Sequence, residues 1–149
     1  MTKQETLKLQ APFELSYDYK RSCGPIMSKF FEALSKKKIL GTKNASGKVF
    51  VPAAEFDPNT NEALTEFVEV ESTGIIESWS WVANPKPHHL IQSAFAFVLI
   101  KFNGADTSML HMVSECAESD LAKGVKVKPV WSSDPKEMIL DIKYFVLEK

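Results

Sequence analysis

The sequence predicts a mainly β protein: a small closed barrel of OB type, entered through an N-terminal helical segment and a turn-rich insert. Three observations predict it. From residue 64 onward, apolar runs of strand length alternate with turn residues. A helical period occurs only once at length, near residues 26–34. Between the fourth and fifth of the strand-like runs stands just a turn or two of helix, at 118–123. Five or six strands of this size suffice for a closed barrel, and closure removes most exposed strand edges.

Taken in order, residues 1–12 form a polar lead. Phe13, Leu15, Tyr17 and Tyr19 then alternate with polar residues, the pattern of a short strand or an extended arm with one apolar face. Ser22-Cys23-Gly24-Pro25 opens a helix, with proline near the first helical position. Met27, Phe30, Phe31 and Leu34 share one helical face. Lys36, Lys37 and Lys38 fall in its last turn, where cations suit the helix dipole, and Gly41 stops it. This lysine run reads as a solvated helix end or as a phosphate site.

Residues 41–63 are dense in Gly, Asn, Ser, Pro, Asp and Thr, and form a knuckle or a pair of hairpins. Strands follow at 64–71, 75–83, 94–102, 107–113, 125–131 and 138–146. Asn103-Gly104 is a hairpin turn. In the last strand Met138, Leu140, Ile142, Tyr144 and Val146 make one continuous apolar face. The chain thus divides into an arm and amphipathic helix (1–40), the insert (41–63) and the barrel domain (64–149).

With 149 residues, 44% of them hydrophobic and 25% charged, disorder and coiled coil are excluded as the main state. Eighteen Lys and Arg against 19 Asp and Glu leave a net charge of −1, without the basic surplus that phosphate backbone demands. The polar opening Met1-Thr2-Lys3-Gln4-Glu5 carries no leader signal, and no run is long enough to span a membrane. A cytoplasmic protein with Cys23 and Cys116 as reduced thiols is the expectation, although one bridge between them remains open.

No nucleophile elbow, P-loop or dinucleotide fingerprint is present. Cys116 has no histidine beside it in sequence. His88-His89 lies in a proline-bounded loop, facing solvent or a partner, and His111 sits in a strand between Met109 and Val113 as a core histidine. The three do not have the spacing of a zinc site, though nothing forbids one. Lys123, Lys126 and Lys128 face either solvent or the phosphates of an anionic cofactor.

Ile76, Ser78, Ser80 and Val82 are the smaller residues of their strand and are expected inside a narrow barrel. Trp79 and Trp81 then point outward, either beneath the helix or as an exposed recognition surface. Phe95, Phe97 and Leu99 share one face of the next long strand, with Ala96, Val98 and Ile100 on the other. Both faces are apolar, so both require cover, and one short helix is small for the task. A second protein chain is a natural complement.

Nine segments in order carry a resemblance. They are Leu15-Ser16-Tyr17, Ser22-Cys23-Gly24-Pro25, Phe30-Phe31-Glu32-Ala33-Leu34, Lys38-Ile39-Leu40-Gly41, Val49-Phe50-Val51-Pro52, Gly74-Ile75-Ile76-Glu77-Ser78-Trp79-Ser80, Asn103-Gly104-Ala105-Asp106-Thr107, Leu110-His111-Met112-Val113 and Ile139-Leu140-Asp141-Ile142-Lys143-Tyr144-Phe145. Over about 130 residues the chain resembles the zinc-ribbon plus OB-fold family, formerly a domain of unknown function, that accompanies thiolase-like enzymes. The family's two Cys-x-x-Cys pairs fall near Asn44 and Ser46 and near Asp57 and Thr60, where this sequence has no cysteine. Those four side chains do not replace four thiolates, so a degenerate, metal-free rubredoxin-like ribbon is expected.

The resemblance implies an accessory, scaffold or active-site-completing subunit of a thiolase-superfamily complex handling acyl-CoA or acyl groups by thiolysis, retro-aldol cleavage or acyl transfer. It implies a thiolase-like or condensing-enzyme partner that supplies the catalytic residues. A coenzyme A thioester would be the shared ligand of the complex, with no cofactor held by this chain. Trp79, Trp81, Phe95 and Phe97 are the expected acyl-group or partner-facing residues, with His88 and His89 at the rim. Two other readings stand beside it: a single-stranded nucleic-acid binder stacking bases on Trp79 and Trp81, and a small independent CoA-thioester enzyme using His111 or Cys116.

Overall fold

The computed structural model describes residues 10–148; the first nine residues of the expected polar lead lie outside it. Helix α1 runs Gly24–Ser35. The strands are β1 Ile39–Lys43, β2 Val49–Phe50, β3 Glu66–Val70, β4 Gly74–Val82, β5 Phe95–Phe102, β6 Ser108–Val113, β7 Lys126–Trp131 and β8 Ile142–Leu147. They form a three-stranded sheet, β2-β1-β3, and a closed barrel, β4-β5-β6-β8-β7. The parallel pairing of β6 with β8 gives the barrel its OB topology. Single 3-10 turns stand at Glu118–Asp120 and Ile139–Asp141. Among the described residues no helix is long and apolar enough to cross a membrane.

Residues 11–21 form no helix and pair with no strand, and Phe13, Leu15, Tyr17 and Tyr19 are exposed. The helix opens where expected and buries Phe30, Ala33 and Leu34. It closes earlier than expected. Lys38 N–H donates to Ala33 O and Lys37 N–H to Leu34 O, while Lys37 takes the left-handed conformation at φ 61°. That is a Schellman closure with lysine in the usual glycine place. Gly41 therefore stops no helix; it lies inside β1. A Cβ there would meet Phe50 O at 2.7 Å and Val49 Cγ1 at 2.8 Å. The lysine run is a solvated end, Lys36 paired with Glu32 and Lys38 with Glu69.

The expected strand at 64–71 forms as β3, but it pairs with β1 in the small sheet rather than joining the barrel. This sheet is tied to the β5–β6 hairpin. Asp106 Oδ2 accepts Val49 N–H at 2.8 Å, and Thr107 Oγ1 accepts Val51 N–H at 2.7 Å and donates to Val51 O at 3.0 Å.

The barrel interior holds Ile76, Ala96, Val98, Ile100, Phe102, Met109, Val113, Val127, Ile142 and Phe145. Two irregularities shift the expected faces. The first is a β-bulge between Ile76 and Ser78. Beyond it Trp79 stands opposite Val98 and Trp81 opposite Ala96, both inward positions of β5, while Ser78 and Ser80 stand opposite the outward Leu99 and Phe97. Ser78 and Ser80 thus share the face of Phe97 and Leu99, and the tryptophans share the face of Ala96 and Val98, with Trp81 on the core and Trp79 half-exposed at its edge, the reverse of strict alternation. One extra residue changes the phase of everything after it.

The second irregularity lies in the expected last strand, which begins as a 3-10 turn. The Asp141 carboxylate accepts Lys136 N–H at 2.8 Å and Met138 N–H at 3.4 Å. Local side-chain bonding of this kind competes with strand pairing. Strand β8 starts only at Ile142, and Phe145, which is off the expected apolar face, is fully buried. No continuous apolar face runs from Met138 to Val146.

Candidate functional site

The outer side of β5 and β6 carries Phe95 and Phe97 beside Leu110 and Met112. Loop 84–93 folds over one end of this surface, and the displaced 3-10 turn delivers Ile139 and Leu140 to its other side. Between them lies an open pocket of about 300 Å³, lined also by His88, His89, Leu90 and His111. That volume is at the lower end of the range for small-molecule sites. No lining residue is charged, and the three imidazoles hold the only side-chain nitrogen or oxygen atoms in the lining. Phe97 is 38% exposed and Leu110 60%, so the pocket continues into an uncovered apolar surface that also includes Leu99.

The loop orients one histidine with care. His89 Nδ1 accepts Lys86 N–H at 3.1 Å, and His89 N–H donates to Lys86 O at 2.9 Å. Gln92 Nε2 donates to His89 O. Pro85 and Pro87 flank Lys86 and stiffen the turn. The His89 ring stands edge-on to Phe95 at 5.5 Å and to His88 at 4.6 Å between centroids. Phe95 and Phe97 are themselves in edge contact at 5.1 Å.

His111 is a core histidine, as expected, only 5% exposed, and it also lines the pocket. Its Nε2 lies 3.5 Å from Ile139 O, and its Nδ1 is buried without a partner. Desolvation pushes its pKa below the ordinary histidine value, against weaker opposing contacts with backbone carbonyls. The ring is therefore neutral near pH 7.

The structure brings together His88, His89, Phe95 and Phe97 among the expected site residues, and leaves out Trp79 and Trp81. Trp79 is 39% exposed and Trp81 packs on the barrel core, both on the opposite side of the sheet from Phe97. Helix α1 makes its main contacts elsewhere, on β1 and the 3-10 turn at 139–141. Leu90, Leu110, Met112, Ile139 and Leu140 were not foreseen. The alternation of Leu110 and Met112 was a usable signal; the two residues from the 3-10 turn had none.

A larger groove, about 790 Å³, includes Glu115, Cys116, Asp120, Lys128 and Glu148. Three carboxylates against one lysine make it a poor receptor for phosphates. Both cysteines are free. Burial, then the charge of Asp120, raises the Cys116 thiol pKa, the reverse of what activates a nucleophile.

At the ribbon, Asn44 and Asp57 face each other across the two knuckles. Asn44 Nδ2 donates to Asp57 Oδ2 at 2.5 Å. Asn44 Oδ1 accepts from Lys48 N–H and Ser46 Oγ, and Asp57 Oδ1 accepts from Asn59 and Thr60 N–H. These bonds, the Asn44 amide first, lower the Asp57 pKa. The donor set does not fit zinc: it has no thiolate or imidazole, and its oxygens are committed to local hydrogen bonds. Among the described residues no cluster of His, Cys, Asp and Glu is arranged to hold a metal.

No protein-family model and no curated protein sequence matches the chain. Several solved structures share its fold, two of them as follows. One is a protein of unknown function from the DUF35 family of Sulfolobus solfataricus, 20% identical, covering 83% of this chain and 84% of its own, with a TM-score of 0.61. The other is a chain of the Ltp2-ChsH2(DUF35) aldolase, 18% identical, covering 86% of this chain and 97% of its own, with a TM-score of 0.62. The fold is thus that of DUF35 proteins.

Proposed function

We propose that this chain is the accessory, active-site-completing subunit of a thiolase-superfamily complex that handles acyl-CoA or acyl groups. The pocket between loop 84–93 and the outer face of β5 and β6 forms part of the wall for the acyl group, and the partner supplies the bond-making residues. A coenzyme A thioester is then a ligand shared by the two chains. The observation that carries this reading is the uncharged 300 Å³ pocket opening onto exposed Phe97, Leu99 and Leu110. Contiguous apolar surface of this kind marks interaction sites. The arm, with Phe13, Leu15, Tyr17 and Tyr19 all exposed, offers a second apolar contact. The fold shared with a chain of the Ltp2-ChsH2(DUF35) aldolase supports a thiolase-like partner.

The nucleic-acid alternative is weakened because Trp81 packs on the barrel core, so the two tryptophans make no open stacking platform. The independent-enzyme alternative is weakened by the raised Cys116 thiol.

The test is affinity purification from the native host, followed by size-exclusion chromatography with the co-eluting protein. A thiolase-like or condensing enzyme is expected to co-elute stoichiometrically. The paired substitution Phe97→Asp and Leu110→Asp is expected to abolish co-elution while leaving the circular dichroism spectrum unchanged. A wild-type chain that runs as a stable monomer and captures no such enzyme refutes the proposal.

A further inference from the structure

We infer that His89 is the specificity-determining donor of the apolar pocket: its Nε2–H meets the carbonyl oxygen of an uncharged acyl thioester, and the pocket rejects the free acid. This deepens the reading of the pocket as an acyl site and rests on it.

The loop aims three hydrogen bonds at one residue, through its N–H, its C=O and its ring Nδ1. A ring nitrogen that accepts an N–H carries no proton, so His89 is the Nε2–H tautomer. Among the described residues no hydrogen bond engages its Nε2, and that atom is not among the buried unpartnered ones, so it stands open to solvent. His89 lines the pocket beside apolar side chains and two further imidazoles, and its free Nε2–H is the donor the site can offer. His111 in the same lining is kept neutral by burial.

A ligand entering this site sheds water from its polar atoms. A thioester has one oxygen to satisfy, and a single N–H satisfies it. A carboxylate brings a full charge to a lining with no Lys or Arg, where desolvation is costly. The pocket thus discriminates by what it lacks as well as by what His89 offers.

The test uses the full chain and three probes of matched length: S-octanoyl-N-acetylcysteamine, its thioether analogue S-octyl-N-acetylcysteamine, and octanoate. Binding is measured by calorimetry for wild type, His89→Leu and His89→Gln. Wild type is expected to bind the thioester more tightly than octanoate. His89→Leu is expected to weaken the thioester roughly threefold to tenfold, the worth of one neutral hydrogen bond, and to leave the thioether unchanged. His89→Gln keeps a side-chain N–H and is expected to restore most of the loss. Equal losses for thioester and thioether, no loss for either, or octanoate binding as tightly as the thioester would each overturn the inference. So would a wild-type chain that does not bind the thioester, and co-elution with the partner would still stand on its own measurement. Loss of co-elution with thioester selectivity intact sinks the subunit reading alone.

Discussion

Thr107 carries the junction between the two sheets, and Thr107→Val tests how much. The change is nearly isosteric and removes only the hydroxyl. That hydroxyl accepts Val51 N–H at 2.7 Å and donates to Val51 O at 3.0 Å. Val51 is 1% exposed, and among the described residues Thr107 is the only partner of either backbone group. Leaving a buried N–H unpaired costs about 1–3 kcal/mol, and the weaker donation to the carbonyl adds about 0.5–1. A loss of about 1.5–4 kcal/mol is expected, or a fall in melting temperature of roughly 3–16 °C for a domain of this size. Urea unfolding of wild type, Thr107→Val and Thr107→Ser measures it. The serine keeps the hydroxyl and sheds one methyl, so it should lose about 1 kcal/mol or less. Amide exchange at Val51 should quicken in the valine variant and not in the serine variant. If valine falls within about 0.5 kcal/mol of wild type, or serine proves worse than valine, the hydroxyl does not hold the sheets together.

Two further perturbations follow from single residues. Gly41→Ala places a Cβ 2.7 Å from the Phe50 carbonyl, a backbone atom that cannot rotate away, and should cost about 1–3 kcal/mol in urea unfolding; a neutral result would mean β1 and β2 separate freely. His111 has its folded pKa depressed by burial, so its contribution is present above the unfolded value of about 6.5 and is lost as pH falls through the folded one. The urea midpoint should therefore drop as pH is lowered from about 7 to about 5, and His111→Leu should flatten that slope; a slope that survives in the variant assigns it to another group.

Much of the barrel was legible in the sequence because its signals are local. The alternation of Phe95 to Phe102, the Asn103-Gly104 turn, and the short helical turn near residue 120 each reflect neighbours within a few residues. The lack of cysteine in the ribbon was legible for the same reason, since those positions can be read one at a time. The pairing of His89 with Phe95 and Phe97 followed from their proximity along the chain.

What the sequence by itself determined is therefore the strand and turn inventory of the barrel, the helix start, and the apolar character of β5 on both faces. Tertiary structure alone decided which face each residue took. A bulged residue between Ile76 and Ser78 carries no composition signal, yet it moves Trp79 and Trp81 to the Ala96 and Val98 face of the sheet, because side chains alternate with period two and one insertion inverts all that follow. Asp141 likewise shortens the last strand through hydrogen bonds to Lys136 and Met138, and so moves Ile139 and Leu140 to the pocket. The joining of loop 84–93, His111 and residues 139–140 into one site depends on barrel closure, which packs against each other segments some fifty residues apart.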